Sequence, residues 1–118
     1  MDRQLDLHTL ADVTSIPDRL DEFVWETLRP GVDICKLHQD LAGNTKMALL
    51  RYIPGATVPE HLHVGMEYIH VLSGSQQDER GTYPAGTVVI NRTGSKHSVA
   101  SPEGCVVLAI WEVPVRFL

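Results

Sequence analysis

A chain of 118 residues, 43% hydrophobic and 21% charged, is one globular domain's worth of polypeptide, long enough to bury a core without covalent staples. Its net charge of −5 is scattered rather than blocked, which argues against nucleic acid or an anionic membrane as partner, since both demand a basic face. Cys35 and Cys105 are too few and too isolated for a disulfide framework or a Cys-x-x-Cys site, and read as reduced, buried thiols.

Residues 1–6 lack a basic stretch followed by an apolar one, and no apolar run approaches the roughly 20 residues that cross a bilayer, so the expected address is the cytoplasm. From 5 to 28 the sequence is mixed and acidic, and Pro17 interrupts any long helix. Thr9 with Asp12, and Ser15 with Asp18, offer weak starts for one short helix. Residues 1–30 are too short to bury a core of their own and read as an N-terminal arm, packing on the barrel or on a dimer partner. Phe23, Val24 and Trp25 form an apolar cluster in that arm. A free monomer would expose it, so a homodimer is expected; folding back over the chain's own sheet is the competing outcome.

From Gly31 the pattern changes to short β-type runs at 32–37, 47–53, 66–72, 86–91, 97–101 and 105–113. Clusters of Gly, Pro, Asn and Asp separate them, at Asp40 to Asn44, Pro54-Gly55, Gly74, Gly81, Pro84 to Gly86, Gly94-Ser95 and Pro102 to Gly104. Residues 31–118 therefore read as an all-β antiparallel barrel.

Three potential metal ligands fall within seven residues: His61, His63 and Glu67. Residues two apart on an extended strand share a face, so the two imidazoles project side by side. Gly65 permits a tight turn that carries the Glu67 carboxylate back toward them. His97 arrives much later, just after the Gly94-Ser95-Lys96 turn. Neutral imidazole and carboxylate suit one divalent transition ion, whether zinc, iron, manganese, nickel or cobalt.

The full spacing is Gly55, five residues, His61, one, His63, three, Glu67, six, Gly74. It resembles the first motif of the cupin superfamily without a departure. Gly86, Gly94 and His97 are similar to the second motif, in which Arg92 replaces a proline and Ser101 an asparagine, neither a ligand position. Residues 51–56, the strand from Glu67 to Gly74, residues 78–86 and residues 94–97 further resemble the ChrR-type cupin, the sensory half of a zinc-dependent anti-sigma factor. The likeness covers roughly residues 30 to 112. It implies a jelly-roll barrel, a metal held by His61, His63, Glu67 and His97, and a stand-alone member of the family, since the helical anti-sigma half has no counterpart in this sequence. Related stand-alone cupins include oxygen-dependent enzymes such as the one that cleaves acetylacetone.

His70 lies off the Glu67, Ile69, Val71 face, and His8 and His38 fall outside any motif, so none of the three is expected to ligate. Arg51, Arg92 and Trp111 are candidates for the lining of a small-molecule pocket at the barrel mouth: a guanidinium near the metal would orient an anionic ligand or substrate. For the arginines, a surface salt bridge is the competing role; for Trp111, a place in the core; Glu112 reads as a solvated carboxylate on the rim. Three readings stay open. The chain is a metal-dependent enzyme, an iron(II) dioxygenase or a metal-dependent isomerase or hydrolase, acting on a small oxygenated compound; a non-catalytic zinc or ligand sensor; or a cupin with an empty barrel.

Overall fold

In the computed structural model, which describes residues 8–118, ten β-strands follow two short 3-10 helices, Val13–Asp18 and Leu20–Glu22. The strands are β1 Glu26–Arg29, β2 Val32–Gln39, β3 Thr45–Tyr52, β4 Ala56–Leu62, β5 Glu67–Asp78, β6 Gly81–Pro84, β7 Val88–Asn91, β8 Lys96–Ser101, β9 Cys105–Trp111 and β10 Arg116–Phe117. Every pairing is antiparallel. The main path runs β1-β2-β3-β9-β5-β8-β4-β10, with β6 and β7 both added to β5. This is the all-β antiparallel barrel that the alternation and turn spacing predict.

β5 serves both walls. Its first half, Glu67 to Gly74, pairs with β9 and β7 in one sheet; its second half, from Ser75, pairs with β6 and β8 in the other. The strand turns this corner through a bulge between Val71 and Ser73 and through Gly74, at φ +68°. Gly74 was expected to lie in a turn between strands; it lies inside the longest strand instead. A side chain there would set its Cβ 1.9 Å from the Gly104 carbonyl oxygen, so two backbones touch where only glycine fits. The corner is tied down by Ser101, whose hydroxyl donates to the Ser75 carbonyl at 2.7 Å.

Alternation sorts side chains onto two faces of the first sheet. Val32, Ile34, Ala48, Leu50, Tyr52, Ile69, Val71, Val107 and Ala109 point inward and form the barrel core with Ala56, Val99 and Cys105. The intervening residues Cys35, Leu37, Leu49, Leu72, Val106 and Leu108 point outward, yet they too are buried. Ile16 covers them, with Leu10, Val13, Leu20, Phe23 and Trp25 partly buried beside it. The Trp25 indole N–H donates to Leu20 O at 2.8 Å, fixing the ring. Phe23 and Trp25 thus pack on the chain's own sheet, while Val24 is 61% exposed.

Four strands, β1, β4, β6 and β10, lie where the sequence suggested loops or the arm. β1 forms a hairpin with β2 across Pro30-Gly31. β4 contains Pro59, which a strand accommodates because the β4–β8 register slips between Val58 and His61 and no ladder bond is demanded of the missing N–H. β10 is two residues long. Cys35 and Cys105 are both buried, and neither is in a disulfide. No helix of the described residues is long and apolar enough to cross a membrane.

The corner yields a direct test. Gly74→Ala should destabilise the fold by at least about 2 kcal/mol in denaturant titration, from the clash with Gly104 and the positive φ. Gly81→Ala, with open space around the new methyl, should stay within about 1 kcal/mol of the parent. Equal effects at both positions would remove the corner from the account.

Candidate metal centre

His61 sits near the end of β4, and its Cα partner across the β4–β8 ladder is His97. The pairing of the two strands therefore brings residues 36 apart in sequence into direct opposition. His63 follows just past β4, where the turn before β8 grips it: the His63 N–H donates to Ser95 O at 2.9 Å and the Gly94 N–H donates to His63 O at 2.8 Å. Ser95 closes that turn, its N–H donating to Arg92 O at 3.0 Å. Glu67 opens β5 after a loop in which Gly65 presses on residues 112 and 113; a Cβ at Gly65 would lie 2.8 Å from Val113 Cγ2. The Glu112 carboxylate accepts the Met66 N–H at 2.6 Å, which holds the start of β5 in place.

The four side chains converge. His61, His63, Glu67 and His97 are all buried, and one ligand atom from each lies within 4.8 Å of the others. Each imidazole has its Nδ1 engaged from behind: His61 with Pro59 O at 2.9 Å, His63 with Ser95 O at 3.1 Å, His97 with Asp78 Oδ2 at 2.9 Å. A carbonyl oxygen only accepts, and an ionised carboxylate likewise, so Nδ1 carries the proton in each ring. Nε2 is then left as an unprotonated lone pair aimed at the centre. His61 Nε2 and His97 Nε2 face each other at 3.1 Å, and His63 Nε2 is buried without a hydrogen-bond partner, 3.3 Å from Glu67 Oε1. Three lone pairs and a carboxylate in one buried spot repel one another unless a cation stands between them, so the donor set fits a divalent ion.

The surroundings support that ionisation state. Burial holds the His61 ring below its usual pKa, which favours the neutral ligating form. Burial opposes ionisation of Glu67, but bonds donated to its carboxylate, the Trp111 indole N–H among them, help keep it below the usual carboxylate range. Asn91, the register partner of Glu67, donates its side-chain N–H to Oε1 at 2.9 Å, and the Trp111 indole N–H donates to Oε2. Asp78 is likewise lowered: burial resists, and bonds from the Tyr83 hydroxyl and His97 prevail. His97 is the one imidazole of the three braced by a carboxylate, a pairing that raises ligand basicity.

The cluster opens on a cavity of about 80 Å³ inside the barrel. His61, Glu67 and His97 line it together with Trp111, Tyr52, Gln76 and a carbon wall that includes Leu50, Ile69 and Val99. Phe117 of β10 also lines it, its ring tilted 57° against that of His61 at 5.6 Å between centroids, and the Arg29 guanidinium lies over the Phe117 ring at 5.5 Å. A larger groove of about 620 Å³ runs over the exterior beside Arg29, Gln77 and Ser98; its outward-facing polar lining is not what the cluster faces.

Of the expected pocket residues, Trp111 lines the cavity and the arginines do not. Arg51 points to the outer face of β3, where it pairs with Asp33 at 2.8 Å and lies 4.4 Å over the Trp25 ring. Its neighbours Leu50 and Tyr52 take the inward positions, and that alternation was readable in advance. Arg92 is exposed on the turn before β8. Asp78, Asn91, Tyr52 and Gln76 were not foreseen. Asn91 and Asp78 are placed by strand register across long separations, which single-chain spacing does not reveal.

Comparison with known proteins agrees with this architecture. The family model described as the ChrR cupin-like domain matches residues 16–115. Over 102 residues the chain is 35% identical to the anti-sigma-E factor ChrR of Cereibacter sphaeroides, covering 84% of this chain and 46% of that protein, so it spans less than half the relative's length. The crystal structure of Rhodobacter sphaeroides SigE in complex with the anti-sigma ChrR is similar with a TM-score of 0.72 and 27% identity, over 95% of this chain and 60% of that one. An acetylacetone dioxygenase from Acinetobacter johnsonii shares the fold, with a TM-score of 0.70 and 15% identity over 95% and 76% of the two chains.

Equilibrium dialysis should show His97→Ala losing its divalent ion. Asp78→Asn, which keeps the hydrogen bond but removes the charge, should bind some 10- to 100-fold more weakly with the fold intact. Full occupancy of His97→Ala after dialysis would exclude that residue from the ligand set.

Proposed function

The chain belongs to the ChrR cupin-like family, and on that premise we propose that it is a metal-dependent enzyme of the iron(II) dioxygenase kind, acting on a small oxygenated compound. One observation carries this reading: four buried ligand groups converge, and three of them, His61, Glu67 and His97, line a cavity set into the barrel. Four protein ligands leave up to two positions of an octahedral ion open, and iron(II) held here would supply Lewis acidity and redox chemistry at those positions. The chain's own residues do the rest. Asp78, Pro59 and Ser95 fix the three imidazole tautomers; Asn91 and Trp111 hold the Glu67 carboxylate in one orientation. The carbon wall and Phe117 restrict water, which strengthens electrostatic interactions within the cavity. A small bidentate oxygen compound such as a diketone, an enol or a 2-hydroxy acid suits this space.

A second reading is favoured by the 35% identity to an anti-sigma factor: a non-catalytic zinc or ligand sensor whose output lies in another domain or protein. Metal content separates the two. Iron in the natively purified protein, a charge-transfer band on anaerobic titration with a diketone, and oxygen uptake on exposure to air are the expected results. Stoichiometric zinc, with no turnover of diketones, enols or 2-hydroxy acids by iron-, manganese-, nickel- or zinc-loaded protein, would establish the sensor reading instead.

We also propose a homodimer. Tyr68, Val88, Ile90 and Ile110 stand side by side on the outer face of β5, β7 and β9, 38% to 54% exposed, next to the free edge of β7. A second copy covering that row would take this outward apolar strip out of water. Light scattering at micromolar concentration should give about 26 kDa, twice the 13.1 kDa of one chain, and a mass near 13 kDa would rule the dimer out.

A further inference from the structure

The cavity carries information about what it holds at the end remote from the cluster. Beyond His61, Glu67 and His97, its polar lining comes from Trp111, whose N–H is committed to Glu67, and from Tyr52 and Gln76. Both of the latter are buried, at 6% and 3% exposure, and both are neutral. Burial drives the Tyr52 hydroxyl far above its ordinary pKa, and a hydrogen bond from the Gln76 side chain offsets this only in part, so the phenol keeps its proton. A neutral phenol and a neutral carboxamide each offer both a donor and an acceptor to a guest. Among the described residues, no arginine or lysine lines the cavity. The Arg29 guanidinium stays outside, across the Phe117 ring, and Arg51 is on the far face of its strand.

We infer that Tyr52 and Gln76 form a polar floor that recognises an uncharged oxygen, a hydroxyl or carbonyl, at the far end of a small molecule chelated at the four-ligand centre, and that the cavity excludes a second carboxylate. The inference rests on the reading of the centre as a small-molecule site. A neutral hydroxyl or carbonyl exchanges its water for the Tyr52 and Gln76 groups at little net cost. A carboxylate at the same depth would be buried without a counter-charge while facing the Glu67 carboxylate across a carbon-walled space. The cavity is also small, at about 80 Å³, which suits a compact guest.

A hydroxamate series isolates the far end, because the chelating head stays constant while the tail changes from methyl to hydroxymethyl to carboxymethyl. Zinc-loaded protein is titrated by calorimetry, and cobalt(II)-loaded protein by visible absorption. The hydroxymethyl compound should bind about tenfold more tightly than the methyl one, and the carboxymethyl compound at least about 30-fold more weakly than the hydroxymethyl one. Tyr52→Phe should abolish the hydroxymethyl preference while leaving acetohydroxamate affinity unchanged, and Gln76→Met should reduce it. Carboxymethyl binding as tight as hydroxymethyl, or a preference that survives both substitutions, overturns the inference while leaving the metal-site reading intact. If protein with full metal content binds none of the three, the small-molecule reading of the centre itself fails, and the polar floor with it.

Discussion

Three imidazole lone pairs and a carboxylate converge on one buried point, and much of the second sheet is arranged to make them do so. Left alone, such a cluster is unfavourable: desolvated electron-pair donors repel, and an unsatisfied buried nitrogen costs about 1–3 kcal/mol. The chain holds it together from behind. Each Nδ1 is bound to an acceptor fixed by the fold itself, namely a strand carbonyl, a turn carbonyl or the Asp78 carboxylate at the end of β5. These contacts leave each ring little choice of tautomer, so the energy of assembling the site is met in folding and recovered when an ion binds.

That arrangement explains why β5 must be long and bent. Glu67 begins it and Asp78 ends it, one reaching the centre directly and the other through His97. A straight twelve-residue strand spans about 40 Å, too far for both ends to serve one site. The bulge before Ser73 and the corner at Gly74 fold the strand between two walls of the barrel, and the close approach of Gly104 fixes where the fold occurs. The same corner lets the first sheet present an apolar outer face, which residues 10–25 cover. β9, Cys105–Trp111, is apolar at nearly every position for this reason: both of its faces are buried, one in the barrel and one under Ile16.

The sequence made the ligands legible because their spacing is local where it needs to be. His61 and His63 are two apart, Glu67 follows a glycine loop, and His97 comes directly after a glycine turn. Six strands were visible from apolar runs bounded by turn residues. β1, β4, β6 and β10 were not, since they are short, mixed or carry proline, and they acquire strand geometry from pairing partners rather than from their own composition. Arg51 shows a different failure. Charge made it a pocket candidate, but parity with Leu50 and Tyr52 aims it outward, into the surface salt bridge with Asp33 that was its competing role. Tyr52, the residue that does face inward, carries no charge and attracted no attention.

The two departures from the second cupin motif show how much of such a motif is backbone. Arg92 stands where a proline is usual, but what its position contributes is a carbonyl oxygen that accepts from the Ser95 N–H and hydroxyl. Any residue offers that oxygen, and the Arg92 side chain is free to lie in solvent. Ser101 stands where an asparagine is usual, and its role is a side-chain one: fully buried, it reaches the Ser75 carbonyl and staples β8 to the bent strand. A hydroxyl fills that role where a longer amide would need more room beside the closely packed Gly74 and Gly104. The turn presenting His97 is therefore kept rigid by hydrogen bonds rather than by a proline ring. A motif position defined by residue type can thus be lost while the geometry it serves persists, and the four ligand positions, whose chemistry no backbone group replaces, are the ones this chain keeps.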